Sequence, residues 1–192
     1  PQFFTRIEDH NGKVLLQAAP VNRRALKDST AFLLTDAMSA SMQSNRKFAR
    51  PGISVNSTST RAALSNMSCS GKSGTTTSNN DIWFVGFTPY YTAGVWGGCD
   101  NNQKLESTSF HKDIWRKIME RVHEGLPDPG FPVPASIETA VICRKSGKLA
   151  VNGVCDHDPR GNATYTEYFA KGTVPTEVCD KHVVVTVCSA SG

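Results

Sequence analysis

A chain of 192 residues, 39% hydrophobic and 20% charged, has the make-up of an ordinary globular protein with enough apolar material for a core. Its formal charge of +4 is a mild excess, compatible with an anionic substrate but far from the clustered basic stripe of a nucleic-acid binder, so no nucleic-acid partner is expected. No apolar run approaches the roughly 18 residues that span a bilayer, and no basic-then-apolar leader opens the chain.

The opening, Phe3 to Asp9, then His10-Asn11-Gly12-Lys13, then Val14 to Gln17, predicts a β-hairpin, with Asn-Gly supplying the positive φ of a two-residue turn. Asp28 and Ser29 are N-cap candidates for a helix whose Leu33, Leu34, Ala37, Met38 and Met42 recur on one face, as core packing. Residues 43–60 are polar, contain Pro51-Gly52, and read as a surface loop. Runs at Cys69–Thr77, Ile82–Thr88 and Tyr91–Gly98, joined by short turns, predict a three-stranded antiparallel meander. Ser107 or Thr108 then caps a helix in which Phe110, Ile114, Ile118 and Val122 step by four and are expected to face the sheet, with Lys112, Arg116, Lys117, Glu120 and Arg121 turned to solvent.

The segment Leu126 to Pro134 carries four prolines and a glycine, ends that helix and marks a boundary. The chain thus divides into residues 1–125, a linker at 126–134, and an extension at 135–192 with β-like runs at Ile137–Ile142 and Val183–Val187. The fold class is α+β: an antiparallel sheet with packed helices and a small β-like C-terminal appendage. No internal repeat is present.

Four of the six cysteines fall in the extension. Cys143–Cys155 and Cys179–Cys188 would each close a short loop, which suits an oxidising, extracytoplasmic setting. A zinc site is the alternative. Against it, no Cys-x-x-Cys pair exists and His157 and His182 do not fall at finger spacing, so disulfides are preferred and neither metal nor cofactor is expected. Cys69 and Cys99 flank the strands; the sequence does not give their state, and free and buried is the default.

The chemistry concentrates in Ser70-Gly71-Lys72-Ser73-Gly74-Thr75-Thr76-Thr77. On an extended segment Ser73 and Thr75 point one way and Lys72 with Gly74 the other. Two hydroxyls on one face can donate to a carboxylate, and Gly74 lets a ligand backbone approach the strand edge. The Thr75 N–H can point at an acyl oxygen, as an oxyanion hole requires. Gly71-Lys72-Ser73 also matches the end of a phosphate-binding P-loop, but position 66 is Asn66 where that motif needs glycine, and a strand follows where it needs a helix. Nucleotide binding is rejected. The sequons at Asn56, Asn66 and Asn162 are common by chance.

Lys72-Ser73-Gly74-Thr75, continued by Trp83-Phe84-Val85-Gly86-Phe87-Thr88-Pro89 and Gly94-Val95-Trp96-Gly97-Gly98, resembles the third signature box of the penicillin-binding proteins. The opening hairpin and the Trp83–Pro89 run look more like the class A, bifunctional members than like class B enzymes or β-lactamases. The extension is similar to those of Gram-positive members in its Ser146-Gly147-Lys148-Leu149-Ala150 after a cysteine and its Glu167-Tyr168-Phe169 and Gly172-Thr173-x-Pro175 before another. The resemblance implies an extracytoplasmic D,D-transpeptidase anchored by an N-terminal segment outside these residues, cross-linking the D-Ala-D-Ala stem peptides of peptidoglycan through an acyl-serine and acylated by β-lactams. It assigns Lys72 and Thr75 catalytic roles, Ser73, Gly74 and Thr75 the donor carboxylate and backbone, and Thr77 an outer contact.

One departure counts against a complete site. The family's Ser-x-x-Lys and Ser-x-Asn boxes lie well upstream of the Lys-Ser-Gly-Thr box. Here Ser44-x-x-Lys47 and Ser54-x-Asn56 are too close to it, and Ser109-x-x-Lys112 and Ser78-x-Asn80 follow it. The chain is therefore read as the rear half of a transpeptidase domain, its nucleophile supplied by an upstream half on the same or a separate chain. The competing readings are a non-catalytic wall-binding or β-lactam-sensing module of the same fold, and a disulfide-stabilised structural domain.

Overall fold

A computed structural model describes residues 3–19, 23–43, 57–188 and 190. The chain forms β1 (Arg6–Glu8), β2 (Val14–Gln17), α1 (Asp28–Ala40), β3 (Ser70–Thr75), β4 (Asp81–Phe87), β5 (Thr92–Gly98), α2 (Phe110–Val122), β6 (Ile137–Cys143) and β7 (Thr164–Ala170). The class is α+β, with three antiparallel sheets: β1-β2, β3-β4-β5 and β6-β7.

The β1–β2 hairpin closes differently from the two-residue turn expected of Asn11-Gly12. The Asp9 N–H bonds the Lys13 carbonyl and the Gly12 N–H bonds the Asp9 carbonyl, leaving a three-residue loop in which Gly12 alone takes a positive φ, +80°. Asp9 sets this geometry. Its carboxylate accepts from the N–H groups of Asn11 and Lys13, at 2.9 and 3.0 Å, an Asx turn that outcompetes the tighter one.

The meander forms as the alternation predicts. In β4, Ile82, Phe84 and Gly86 are buried while Trp83 and Val85 face outward. The buried face receives α2, and the two meet where glycine removes a side chain: a Cβ on Gly86 would stand 2.6 Å from Trp115 Cζ2. Trp115 is fully buried, stacks edge-on against Phe84 at 5.2 Å, and donates its indole N–H to the Ala93 carbonyl at 3.0 Å. With Met119, Met42, Ala62 and Cys69 these rings form the main core.

That docking rotates α2 away from the expected face. His111, Trp115 and Met119 are buried, whereas Phe110, Ile114, Ile118 and Val122 are 38–49% exposed. The row next to the expected one carries Trp115 and Met119 between two histidines, and the tryptophan, with a glycine notch and a carbonyl to meet it, takes the inside. Ser109, rather than Ser107 or Thr108, precedes the first turn. In α1 the buried residue is Phe32, which meets Tyr168 of β7 edge-on at 5.0 Å, while Leu34 is half exposed.

The proline-rich 126–134 segment has no regular structure but is tied down. Asp128 accepts from the N–H and hydroxyl of Ser68 and from the Gly130 N–H, Tyr90 donates to the Pro127 carbonyl, and Phe131 packs on Phe87. Beyond it, β6 forms over Ile137–Cys143, but its partner is Thr164–Ala170. Val183–Val187, expected as a strand, has no regular structure, and Val183, Val184, Val185 and Val187 are 61–80% exposed. Among the described residues no strand pairs with it, whereas Thr164–Ala170 is brought back to β6 by the turns between them.

Candidate functional site

β3 is the outer strand of its sheet, and β4 lies on one side of it only. The Thr76 N–H bonds the Asp81 carbonyl across the β3–β4 turn at 3.0 Å. Successive N–H groups point to opposite sides of a strand, so those of Thr75 and Ser73 point away from β4, toward the open edge.

Register fixes the faces. Ser73 pairs with Phe84 and Thr75 with Ile82, which puts both hydroxyls on the α2 side of the sheet; Lys72 pairs with Val85 and Gly74 with Trp83, on the outward side. Ser73 is half-buried, and Lys72, Gly74 and Thr75 are exposed. Thr77 lies beyond the strand, exposed in the turn that ends at Asp81. The Lys72 ammonium folds onto the Ser73 carbonyl at 2.8 Å.

The glycines of β3 differ. A Cβ on Gly71 would sit 2.6 Å from Phe84 Cζ and 2.9 Å from the Val85 carbonyl, so packing within the chain demands glycine there. A Cβ on Gly74 would meet only Trp83 Cβ, at an ordinary 3.5 Å. Nothing among the described residues requires Gly74 to be bare.

Positive charge gathers beside the same face. Burial, then the charges of Arg61 and Lys72, hold the Lys112 ammonium below its ordinary value, and its Nζ donates to the Thr58 carbonyl at 2.7 Å. Arg61 forks onto Asp113 and donates to the Ser109 hydroxyl at 3.1 Å; the Asp113 bond keeps its guanidinium firmly charged. His111, buried beneath the sheet, is pushed down by burial.

Among the described residues the formal serine boxes are engaged elsewhere. Ser109 is engaged by Arg61 and Lys112 by Thr58, Ser78 and Asn80 sit in the turn after β3 with Asn80 bonded to Asn102, and Ser44, Lys47, Ser54 and Asn56 lie outside the described residues.

The extension holds a second cluster, where the expected pairing fails. Cys143, Cys155 and Cys179 are buried thiols in no disulfide, so neither Cys143–Cys155 nor Cys179–Cys188 forms. The three instead converge with His182: one donor atom from each lies within 4.8 Å of all the others. Cys143 ends β6, Cys155 opens a 3-10 turn, and Cys179 and His182 share one loop; this fold-back, not loop length, decides which sulfurs meet. Cys179-x-x-His182 was the signal in the sequence, a two-ligand turn missed by a search for Cys-x-x-Cys alone. Asp158 supports His182 across a 2.9 Å contact to Nε2 and is itself gripped by Arg160, then His182, which hold its carboxyl far below the usual range. Of the remaining pair, Cys69 is buried as expected and Cys99 is exposed.

Among the described residues no helix is long and apolar enough to cross a membrane. Residues 133–184 match the family described as penicillin-binding protein 1A, C-terminal domain. The whole chain is 34% identical to penicillin-binding protein 1A of Clostridium botulinum, of which it spans 22%. It is 30% identical, over 93% of its length, to penicillin-binding protein 2D of Bacillus subtilis, spanning 24% of that protein. The chain thus covers about a fifth of the curated relatives it matches. In fold it resembles penicillin-binding protein 1A from Haemophilus influenzae, with a TM-score of 0.67 over 93% of this chain and 30% of that one, at 22% identity. An open Lys-Ser-Gly-Thr edge, full-length similarity to these proteins and a matching extension together place the chain in the C-terminal part of the class A penicillin-binding proteins.

Proposed function

We propose that this chain supplies the acyl-donor edge of a serine D,D-transpeptidase that cross-links peptidoglycan stem peptides, with the nucleophilic serine contributed by polypeptide upstream of it. The observation that carries this reading is the open edge of β3: the Thr75 N–H is directed outward, and Gly74 is bare although its own chain leaves room for a side chain. In this reading a D-Ala-D-Ala donor or a β-lactam lies along the edge as an added strand. The Ser73 and Thr75 hydroxyls take its carboxylate in the field of Lys72, Lys112 and Arg61. The Thr75 N–H is one arm of the oxyanion hole. The Lys72 ammonium swings from the Ser73 carbonyl to stabilise the deprotonated nucleophile and its proton relay.

Uncovered apolar surface supports an incomplete domain. Trp83, Val85 and Trp96 on the outward face, and Ile114 and Ile118 on α2, are 41–49% exposed, which a finished domain would cover. The protein as a whole would act outside the cytoplasmic membrane, tethered by an N-terminal segment, as a β-lactam target.

Fluorescent penicillin added to the intact protein tests this. The adduct is expected on a serine outside these 192 residues, with acylation of Lys72→Ala at least about a hundredfold slower. An adduct on a serine inside this chain, or labelling unaffected by Lys72→Ala, defeats the reading. Wall binding with no adduct would favour a non-catalytic module instead.

A further inference from the structure

The cluster in the extension takes no part in the transpeptidase reading, and it is built as a site. We propose that Cys143, Cys155, Cys179 and His182 bind a zinc ion in a closed Cys3His centre that holds the C-terminal extension together.

The spacing fits the ion. Zinc holds thiolate sulfur at about 2.3 Å and imidazole nitrogen at about 2.0–2.1 Å, which in a tetrahedron sets sulfur and nitrogen about 3.6 Å apart. His182 Nδ1 lies 3.4 Å from Cys143 Sγ and 3.4 Å from Cys179 Sγ. Cysteines that merely filled a core would have no reason to turn their sulfurs toward one imidazole nitrogen.

The surroundings are those of a ligand set. Asp158, its side chain 1% exposed, meets the far ring nitrogen of His182, which fixes the proton on Nε2 and turns the Nδ1 lone pair toward the sulfurs. Asp158 is in turn oriented by the N–H and guanidinium of Arg160. The Val151 N–H donates to Cys155 Sγ and the Lys181 N–H to Cys179 Sγ, both at 3.3 Å, spreading thiolate charge into the backbone. Backbone bonds lock each ligand-bearing turn: Gly147 N–H to the Cys143 carbonyl, Cys155 N–H to the Val151 carbonyl, and Cys179 N–H to the Leu149 carbonyl.

Three thiolates and an imidazole select zinc over magnesium or calcium, which prefer oxygen. With four protein ligands no position is left for a substrate, so the role is structural. The need is visible in the extension's own core, which is small: Cys143, Cys155, Cys179 and Ala163, edged by Ala150 and Val151.

The test is elemental mass spectrometry on the intact protein, purified without chelator and dialysed against metal-free buffer. About one zinc ion per chain is expected, released when a mercurial titrates the thiols. Cys179→Ser and His182→Ala should each hold less than about a tenth as much, Asp158→Asn should weaken zinc affinity about 10–100-fold, and Cys99→Ser should hold as much as the parent. Cobalt substitution of the unmutated protein covers the case of a variant that does not fold: sulfur-to-cobalt charge-transfer bands with tetrahedral d–d bands are expected. The proposal is overturned if the unmutated protein holds no zinc and gives no such bands. It is also overturned if any two of Cys143, Cys155 and Cys179 are found disulfide-bonded in it, or if the Cys179→Ser and His182→Ala variants keep their zinc.

Discussion

The meander with α2 and the β6–β7 extension solve the same problem by different means. The first hides large rings, Trp115 and Phe84, in a notch made by Gly86, and its stability comes from burial of apolar area. The second buries few large side chains beyond Ile137 and Ile142 and brings sulfur and imidazole to one point as well. Apolar area stabilises a region in proportion to its size; a ligand cluster can hold a region too small for that. α1 bridges them, its Thr35 carbonyl accepting from Ser70 of β3 and its Phe32 meeting Tyr168 of β7, but the two do not share a core.

Mutations on either side can break or sharpen this contrast. Trp115→Ala should cost about 3–5 kcal/mol in denaturant unfolding of the meander, because the ring and its bond to Ala93 are both lost. Metal content of the extension should survive it; joint loss of both would show that the regions are one cooperative unit. Gly86→Ala, which adds a single methyl against the same ring, should cost about 1–3 kcal/mol by overpacking, read as a lowered Tm. Removing the exposed Asp128 carboxylate, as Asp128→Ala, should cost under about 1 kcal/mol after solvent screening. Its sign with pH is defined. Burial raises the Asp128 carboxyl, but bonds from Gly130 and Ser68 outweigh it and hold it below 3.8. Its contribution is therefore present above that value and lost as pH falls through the folded one, so acid titration should destabilise the parent more than the variant. Smallest of all in stability is Gly74→Ala, within about 0.5 kcal/mol, since a methyl there meets only an ordinary contact. Its penicillin acylation should nonetheless slow about tenfold or more, because the added methyl stands where the ligand strand must approach. Gly86→Ala should do the reverse, lowering stability with acylation of the folded fraction kept.

The same contrast explains what the sequence could reveal. The meander and its Lys-Ser-Gly-Thr edge were legible because period-two alternation and polar turns are local signals, read within a dozen residues. The orientation of α2 was not, because Trp115 and Met119 sit between two histidines in a row that looks less apolar than 110/114/118/122, and only the Gly86 notch and the Ala93 carbonyl draw that row inward. The hairpin's loop length turned on one side chain, Asp9. In the extension, Val183–Val187 has stronger β character than Thr164–Ala170, yet the latter is the strand, since pairing depends on what the fold brings alongside. The Cys143, Cys155 and Cys179 sulfurs come from three separate segments, so loop lengths between them carried no information about which would meet.

The unpaired side of β3 has a cost as well as a use. A bare row of outward N–H and carbonyl groups is the commonest template on which one copy of a protein sticks to another. Lys72 puts a charge on that row, and Gly74 breaks the run of strand-favouring side chains. The residues that make the strand receptive to a short peptide therefore also discourage a second β3 from adding to it, and replacing Lys72 with a neutral β-branched residue trades solubility along with chemistry.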